Sequence, residues 1–377
     1  MSALIISLDV LFVGRRLEAA LKRRLESAGM SDCLVLASAS HTHFAPGVDA
    51  DKPLLGECDE QFYGEVEQKV LGLVDRVIDQ AAIPVEIRYV AGTAEHSVNR
   101  RRRIWTLGGG LPRRTVAMRA NPRGPADQSL HAVRLEDGSG APLAFIWSYA
   151  CHPVSSPQAL HVTAEFPGAA RRELRRRFGA DLPVLFLQGF SGNLRPPAFL
   201  KPGRNPARRL DQLLRGPAFG SFSDAEYARW SGSLARLVAD LADSPALRTF
   251  PPALNHQTLT FPLSTLIEGE PGSQVFALTR LRLATRLQLL TLTAEVVTEY
   301  TRHIARLFPE VETIPVGCVG GAYGYLPTNR MVQEGGYEAG GFFEFFSLGG
   351  RFEPSLETRV VAAMHGLSTA AVDTDDE

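Results

Sequence analysis

The chain has 377 residues, 45% of them hydrophobic and 21% charged, with a formal net charge of −1. This is the balance of an ordinary soluble globular protein, and it excludes a reading that depends on a basic, nucleic-acid-binding surface. Four cysteines, Cys33, Cys58, Cys151 and Cys318, stand far apart without CxxC spacing, which argues against a thiolate zinc site or a disulfide framework and fits a reducing compartment.

The length exceeds one ordinary core, so the expectation is one large α/β domain with insertions or two packed halves. The apolar opening 3–13 lacks a basic flank and a small-residue cleavage site, and Asp9 interrupts it. It reads as a buried strand leading into a helix over 15–28, closed by Gly29. No run reaches the roughly 18 apolar residues a membrane helix needs, so a cytoplasmic location without a transmembrane segment is expected.

After the apolar run 33–36 comes His41-Thr-His43-Phe-Ala-Pro-Gly47. Two histidines at i and i+2 would project from one side of an emerging strand, where a metal ligand can be held open to substrate. The competing reading is a polar strand end. Residues 60–82 carry apolar side chains at helical spacing, and 84–90 alternate as a half-buried strand. The run Arg100-Arg-Arg-Arg103 reads as a solvated loop, with an anion or carbonyl clamp from one arginine as the alternative.

Segments 128–135 and 141–149 bracket an Asp-Gly turn and predict a hairpin. Its second strand ends at Cys151-His152-Pro153, again a histidine at a strand end, for which a hydrogen-bonded structural role competes with metal ligation. A helix is expected over 168–178, with an arginine-rich wet face. The strand 182–188 runs into the tight loop Gly189-Phe-Ser-Gly-Asn193-Leu-Arg195, a place where α/β sites collect. Residues 198–222 look like an irregular insertion able to act as a lid, and Ser223 with Glu226 forms a capping box for a helix through 241.

Strands are expected over 259–263, 275–283 and 287–293, then a helix over 294–307 with Glu295 in its first turn, where the dipole alone would favour it. The glycines around Tyr337 would let backbone approach closely and aim a phenol inward. A terminal helix over 353–367 precedes an acidic tail, 368–377, expected to be disordered. The fold class is therefore α/β, with mixed β-sheets flanked by helices and a site at loop ends in one domain over 1–367.

In type and order the fragments 41–47, 98–100, 151–153, 164–168, 185–196, 293–295, 324–328 and 335–339 resemble the neutral/alkaline non-lysosomal ceramidase family, over nearly the whole chain. The resemblance implies a ceramidase-like catalytic domain and a zinc amidohydrolase cleaving an N-acyl bond. Zinc (Zn2+) would be held by His41, His152, Glu295 and Tyr337, with Tyr337 alternating between ligand and oxyanion donor. His43 would serve the tetrahedral oxyanion or the leaving amine, Arg100 the substrate oxygens, and Glu165 the orientation of His152 or nearby loops; Asn193, Arg195 and Tyr325 would face substrate.

Two imidazoles and a carboxylate suit zinc and leave a position for water. Three departures from the family stand out. Arg195 stands where the family has a serine, the sequence stops where the family's C-terminal immunoglobulin-like domain would begin, and 4–9 already matches the strand after the family's opening segment, so either the start is trimmed or this branch has lost that piece. A small-molecule or lipid-like N-acyl substrate other than long-chain ceramide is therefore expected, with Arg195 inviting an anionic or polar one. No nucleic-acid partner is expected, and a homo-oligomer stays open. The alternatives are an esterase or deacylase on a biosynthetic intermediate, and a non-catalytic metal-binding descendant acting as a partner protein. A serine hydrolase built on Ser191 fails the GxSxG spacing.

Overall fold

The computed structural model describes residues 1–108, 111–270 and 274–369. The first strand β1 (Ser2–Leu8) is followed by α1 (Arg15–Ser27) and β2 (Cys33–Ala39), which returns parallel to β1, and by α2 (Glu60–Ile78). Then come β3 (Glu86–Thr93), the long ribbon β4 (Val98–Gly108) and β5 (Leu111–Asn121), the hairpin β6 (Ser129–Glu136) and β7 (Pro142–Tyr149), α3 (Glu165–Phe178), β8 (Val184–Gln188) and the two-residue β9 (Leu194–Arg195). Helices α4 (Pro206–Arg215) and α5 (Asp224–Ala242) lead to β10 (Arg248–Phe250), β11 (Pro252–Pro262), β12 (Ile267–Glu268), β13 (Val275–Ala284) and β14 (Leu287–Leu292). The chain closes with β15 (Glu295–Val296), α6 (Thr301–Leu307), β16 (Glu312–Val316), β17 (Tyr325–Leu326), α7 (Asn329–Glu334), β18 (Arg351–Phe352) and α8 (Leu356–Thr369).

Two mixed sheets face each other. One has the order β10-β3-β6-β7-β8 and the other β11-β13-β14-β16. Alternation along each strand splits its side chains between two cores. In β7, Phe145, Trp147 and Tyr149 pack under α3 and α5, while Ile146 points to the opposite sheet and meets Leu281, Leu289 and Val316. In β14, Leu290 and Leu292 face α6 and α8, and Leu287 and Leu289 face the first sheet. The result is four layers: helices, sheet, sheet, helices. Each fully buried large side chain here contributes about 1.5–3 kcal/mol of transfer free energy.

Parallel pairing of β7 with β8 and of β14 with β16 brings the C-terminal ends of these strands to one edge. Backbone bonds lace that edge together: Gly317 N donates to the Gln188 carbonyl, Cys318 N to Ala294, Ala39 N to Cys318 and Gly192 N to Val296. Gly192 is required by contact, because a Cβ there would lie 2.7 Å from the Glu295 carbonyl oxygen and 2.9 Å from the Val296 carbonyl.

The mixed α/β architecture agrees with expectation, and several local readings are corrected. The arginine run is strand, not solvated loop: β4 pairs with β5 and β9, and Arg100 and Arg101 are buried. Glu295 is not in a helix; it opens β15, paired parallel with β17, and α6 begins only at Thr301. The segment 198–222 holds the amphipathic helix α4 and docks on β5 through Ala120 N to the Pro217 carbonyl and an Arg119–Asp211 ion pair of 2.6 Å. Residues 368 and 369 belong to α8, and the rest of the expected tail, 370–377, lies outside the described residues. Among the described residues no helix is long and apolar enough to cross a membrane.

Candidate metal centre

His41 lies two residues beyond β2, in the left-handed backbone region at φ 63. For a non-glycine residue that conformation costs roughly 1–2 kcal/mol. The turn, not strand alternation, therefore sets the aim of the ring, and it brings the His41 and His43 centroids to 5.1 Å. His41 is buried and rests edge-on against Phe12 at 5.0 Å. Its Nδ1 lies 3.0 Å from the Leu11 carbonyl oxygen, an acceptor only, so Nδ1 carries a proton and Nε2 is the atom turned to the centre. Burial alone would lower the ring's pKa, but Cys318 and Glu295 outweigh it and hold it well above the ordinary value, so without a metal Nε2 is protonated too.

His152 is held in the same way. Its Nδ1 is 2.8 Å from the Ser191 carbonyl and 2.9 Å from that of Leu194, both in the loop after β8. Burial, helped by the charge of Arg100, pulls its pKa down to about 4, so the ring is neutral with Nε2 bare. Both Nε2 atoms stand 3.1 Å from one oxygen, Glu295 Oε2. Burial alone would push the Glu295 carboxyl up, but His41 and His152 outweigh it and hold it well below the usual carboxylate range.

Two imidazole Nε2 atoms thus converge on one ionised carboxylate oxygen in a closed interior, an arrangement that needs a cation among the three; without a metal the proton on His41 is that cation, and His152 Nε2 stays bare. A proton on His41 would settle one of the two contacts; a metal ion settles both. Donors about 2.0–2.1 Å from zinc at tetrahedral angles are about 3.3 Å apart, close to the separations found. His43 brings a third nitrogen: the ligand atoms of His41, His43 and His152 all lie within 4.8 Å of one another, with His43 the exposed member. The donor set fits a divalent metal.

Two tyrosines wall this centre. The Tyr325 hydroxyl is 3.4 Å from His152 Nε2, and its ring stacks with the His152 ring at an interplanar angle of 6°. Tyr337 opens a short 3-10 turn, Tyr337–Ala339, with its ring centroid 5.4 Å from that of Tyr325. Burial and the Glu295 charge push the Tyr337 phenol up to about 12, so with the centre free of metal it is a donor rather than a tyrosinate. Its position depends on Glu338, to which the residue pattern assigns no role of its own. Glu338 Oε1 accepts from Arg100 Nε and Oε2 from Arg101 Nη1, both at 2.7 Å, and Arg101 Nη2 also donates to the Gly335 carbonyl at 2.8 Å. The only available signal was adjacency, an acid directly after Tyr337 and a pair of arginines far upstream.

Arg100 sits beside both phenols, with its guanidinium 5.4 and 5.6 Å from the ring centroids of Tyr325 and Tyr337. Glu165, at φ 52 and 2% exposed, does not touch His152. Its Oε1 accepts from the backbone N–H of Ser155, at 2.6 Å, and of Ser156, and so fixes the loop that follows His152. Asn193 is fully buried and both ends of its amide are spent, Nδ2 on Glu299 at 2.8 Å and Oδ1 on the Thr298 N–H at 2.9 Å, so it shapes the loop from within. Arg195 lies over the Phe219 ring at 4.4 Å.

Compared with solved structures, the chain superposes on a neutral ceramidase from Pseudomonas aeruginosa with a TM-score of 0.72 over 97% of its own length, at 14% identity. The chain has the neutral-ceramidase fold. A ceramidase complexed with C2 gives the same TM-score and identity, again over 97% of this chain. The match takes in 66% and 67% of those two ceramidase chains, so this chain spans about two thirds of their length. No family model matches the sequence, and no curated protein does. The shared backbone explains how distant strand ends meet at one edge; the centre itself is read from this chain's own side chains.

Proposed function

We propose that the chain is a zinc-dependent hydrolase of a linear amide, cleaving an N-acyl bond of a substrate other than long-chain ceramide. The observation that supports this most is the convergence of the Nε2 atoms of His41 and His152 on Glu295 Oε2, each 3.1 Å away, with the Nδ1 of each ring tied to a backbone carbonyl. His41, His152 and Glu295 would hold the metal, with Tyr337 beside them. When bound, zinc supplies a Lewis acid for the acyl oxygen and lowers the pKa of an attacking water towards neutrality.

The chain's own groups supply the rest. The phenols of Tyr337 and Tyr325 stay protonated and donate to the oxygen that gains charge as the acyl carbon becomes tetrahedral. His43, the exposed histidine of the three, takes the proton that the attacking water gives up and passes it to the departing nitrogen. The water oxygen bonds to the acyl carbon, the carbon–nitrogen bond breaks with its electron pair leaving on nitrogen, and that nitrogen takes the proton. An acid and an amine leave. The ceramidases that share this fold carry the name of such a reaction, which supports the class of bond.

The test is metal content by plasma emission on wild type, His152→Ala and Glu295→Ala, with N-acyl compounds screened in parallel for released amine. About one zinc per wild-type chain, lost in both variants together with amine release, is the expected result. Wild type that takes up no zinc when it is added back would overturn the proposal.

A further inference from the structure

The ribbon beside the two tyrosines carries more positive charge than the protein itself uses. Strand β4 pairs with β9 in the register Val98 opposite Arg195 and Asn99 opposite Leu194. Arg195 therefore shares a face of the ribbon with Val98 and, two residues on, with Arg100, its diagonal neighbour. Each guanidinium has capacity left over. Arg100 is 4% exposed; its Nε is spent on Glu338, and its Nη2 is buried with no acceptor. Among the described residues Arg195 has neither a hydrogen-bond acceptor nor a carboxylate within ion-pair distance; its Nε is buried and unsatisfied, and only the Phe219 ring supports it.

Burying an unpaired cation is costly, and Arg195 is one; Arg100, paired with Glu338 through Nε alone, stands on the same face of the ribbon with its Nη2 unspent. The backbone of β9 and the Arg100 side chain each lead to the metal centre. The carbonyl of Leu194, next to Arg195, accepts from His152 Nδ1, and the Arg100 guanidinium lies over Tyr325, whose hydroxyl reaches His152. An anion lying along this face would be held beside a bond positioned at the centre. Guanidinium N–H pairs match a planar carboxylate. A dianion is disfavoured, because Glu165 already acts on Arg195 and Glu338 on Arg100.

We propose that the substrate carries a carboxylate next to its scissile amide, bound by Arg195 and the free Nη2 of Arg100, so that the chain hydrolyses N-acyl amino acids in preference to neutral N-acyl amines. The proposal deepens the hydrolase reading and rests on it. Phe219 belongs to the segment 198–222, so the same contact ties that segment to the bound anion.

The full, zinc-loaded chain is assayed with N-hexanoylglycine and with its carboxamide, as wild type, Arg195→Met and Arg195→Lys. Calorimetry on metal-stripped protein measures binding of the same two compounds. Wild type should prefer the carboxylate by about ten- to hundredfold in kcat/KM, the span of one or two charge-assisted hydrogen bonds. Arg195→Met should bring that ratio close to one, and Arg195→Lys should keep part of it. Equal rates on both compounds in wild type would overturn the carboxylate site and leave the hydrolase reading standing; this arm needs no variant to fold. If neither compound is hydrolysed, selective binding of the carboxylate that is lost in Arg195→Met would support the clamp and count against the hydrolase. Equal or absent binding would remove the clamp.

Discussion

Replacing Glu338 by glutamine changes one oxygen to an amide nitrogen in the place where the Tyr337 turn is anchored. The wild-type carboxylate is 2% exposed and accepts two 2.7 Å charge-assisted bonds, one from Arg100 and one from Arg101. Arg101 keeps the Gly335 carbonyl in the variant, whereas Arg100 loses its carboxylate, faces an N–H or a neutral oxygen there, and keeps only the Tyr325 hydroxyl beside it. Removing one partner of a buried ion pair costs about 3–5 kcal/mol. With Arg101 retaining a partner, the low end, about 3 kcal/mol, is expected for Glu338→Gln at pH 7.

The pH dependence of that loss has a definite sign. Burial alone would raise the Glu338 carboxyl, but Arg100 and Arg101 outweigh it and hold it below its ordinary value. A depressed carboxyl contributes stability above its unfolded pKa, about 4.3, and that contribution disappears as pH falls through the folded value. Wild type and variant should therefore differ by about 3 kcal/mol in urea unfolding at pH 7 and converge below pH 4. Activity on any N-acyl substrate should fall along with stability, because Tyr337 loses its anchor. A difference below about 1 kcal/mol at pH 7 would refute the idea that this pair holds the turn.

Three further perturbations follow from the same geometry. His43→Ala should keep its zinc by plasma emission while kcat drops by about two to three orders of magnitude; loss of the metal would instead make His43 a ligand. Gly192→Ala places a methyl 2.7 Å from the Glu295 carbonyl oxygen, so it should cost about 1–3 kcal/mol and weaken zinc binding in a competition titration, both measured against a surface glycine control. Burial pushes Glu165 up to about 7 despite its backbone bonds from Ser155 and Ser156. A raised carboxyl favours the fold below its unfolded pKa and loses that benefit as pH rises to about 7, so Glu165→Gln should gain up to about 3 kcal/mol relative to wild type between pH 5 and pH 8. A flat difference across that range, read from melts at both pH values, would contradict the assignment.

Much of the organisation was legible because it is local. The capping box Ser223–Glu226 was readable from residue types alone, and it starts α5 as read. The hairpin β6–β7 and the half-buried strand β3 were visible in alternation, which depends only on neighbours along the chain. His41 and His152 stood out because each is a polar residue placed where an apolar run stops. Glu295 was found by its place in a motif, with its setting misread: Ala294 to Leu307 is apolar at helical spacing, yet the pairing of Glu295 with Tyr325 in a two-residue parallel bridge overrides that propensity. The arginine run was misread for a similar reason. Four consecutive cations look wet, and only a partner more than two hundred residues away, Glu338, makes two of them fit for the interior.

The residue types, their periodicity and the order of the short motifs belong to the sequence itself: mixed sheets flanked by helices, two histidines at strand ends, an acid in Thr293-Ala-Glu295 and a tyrosine between glycines and an acid. Tertiary structure alone decided that the two imidazoles turn their Nε2 atoms to one carboxylate oxygen, since the carbonyls that bind their Nδ1 atoms, Leu11 for His41 and Ser191 and Leu194 for His152, come from two separate segments of the chain. It likewise decided that Arg100 is shared with Glu338 while Arg195 is left without an acid. The physical reason is the range of the interactions. Propensity and amphipathic spacing act within a few residues, whereas the tautomer of a buried histidine and the pairing of a buried charge depend on whichever distant backbone and side-chain groups the packed sheets bring within about 3 Å.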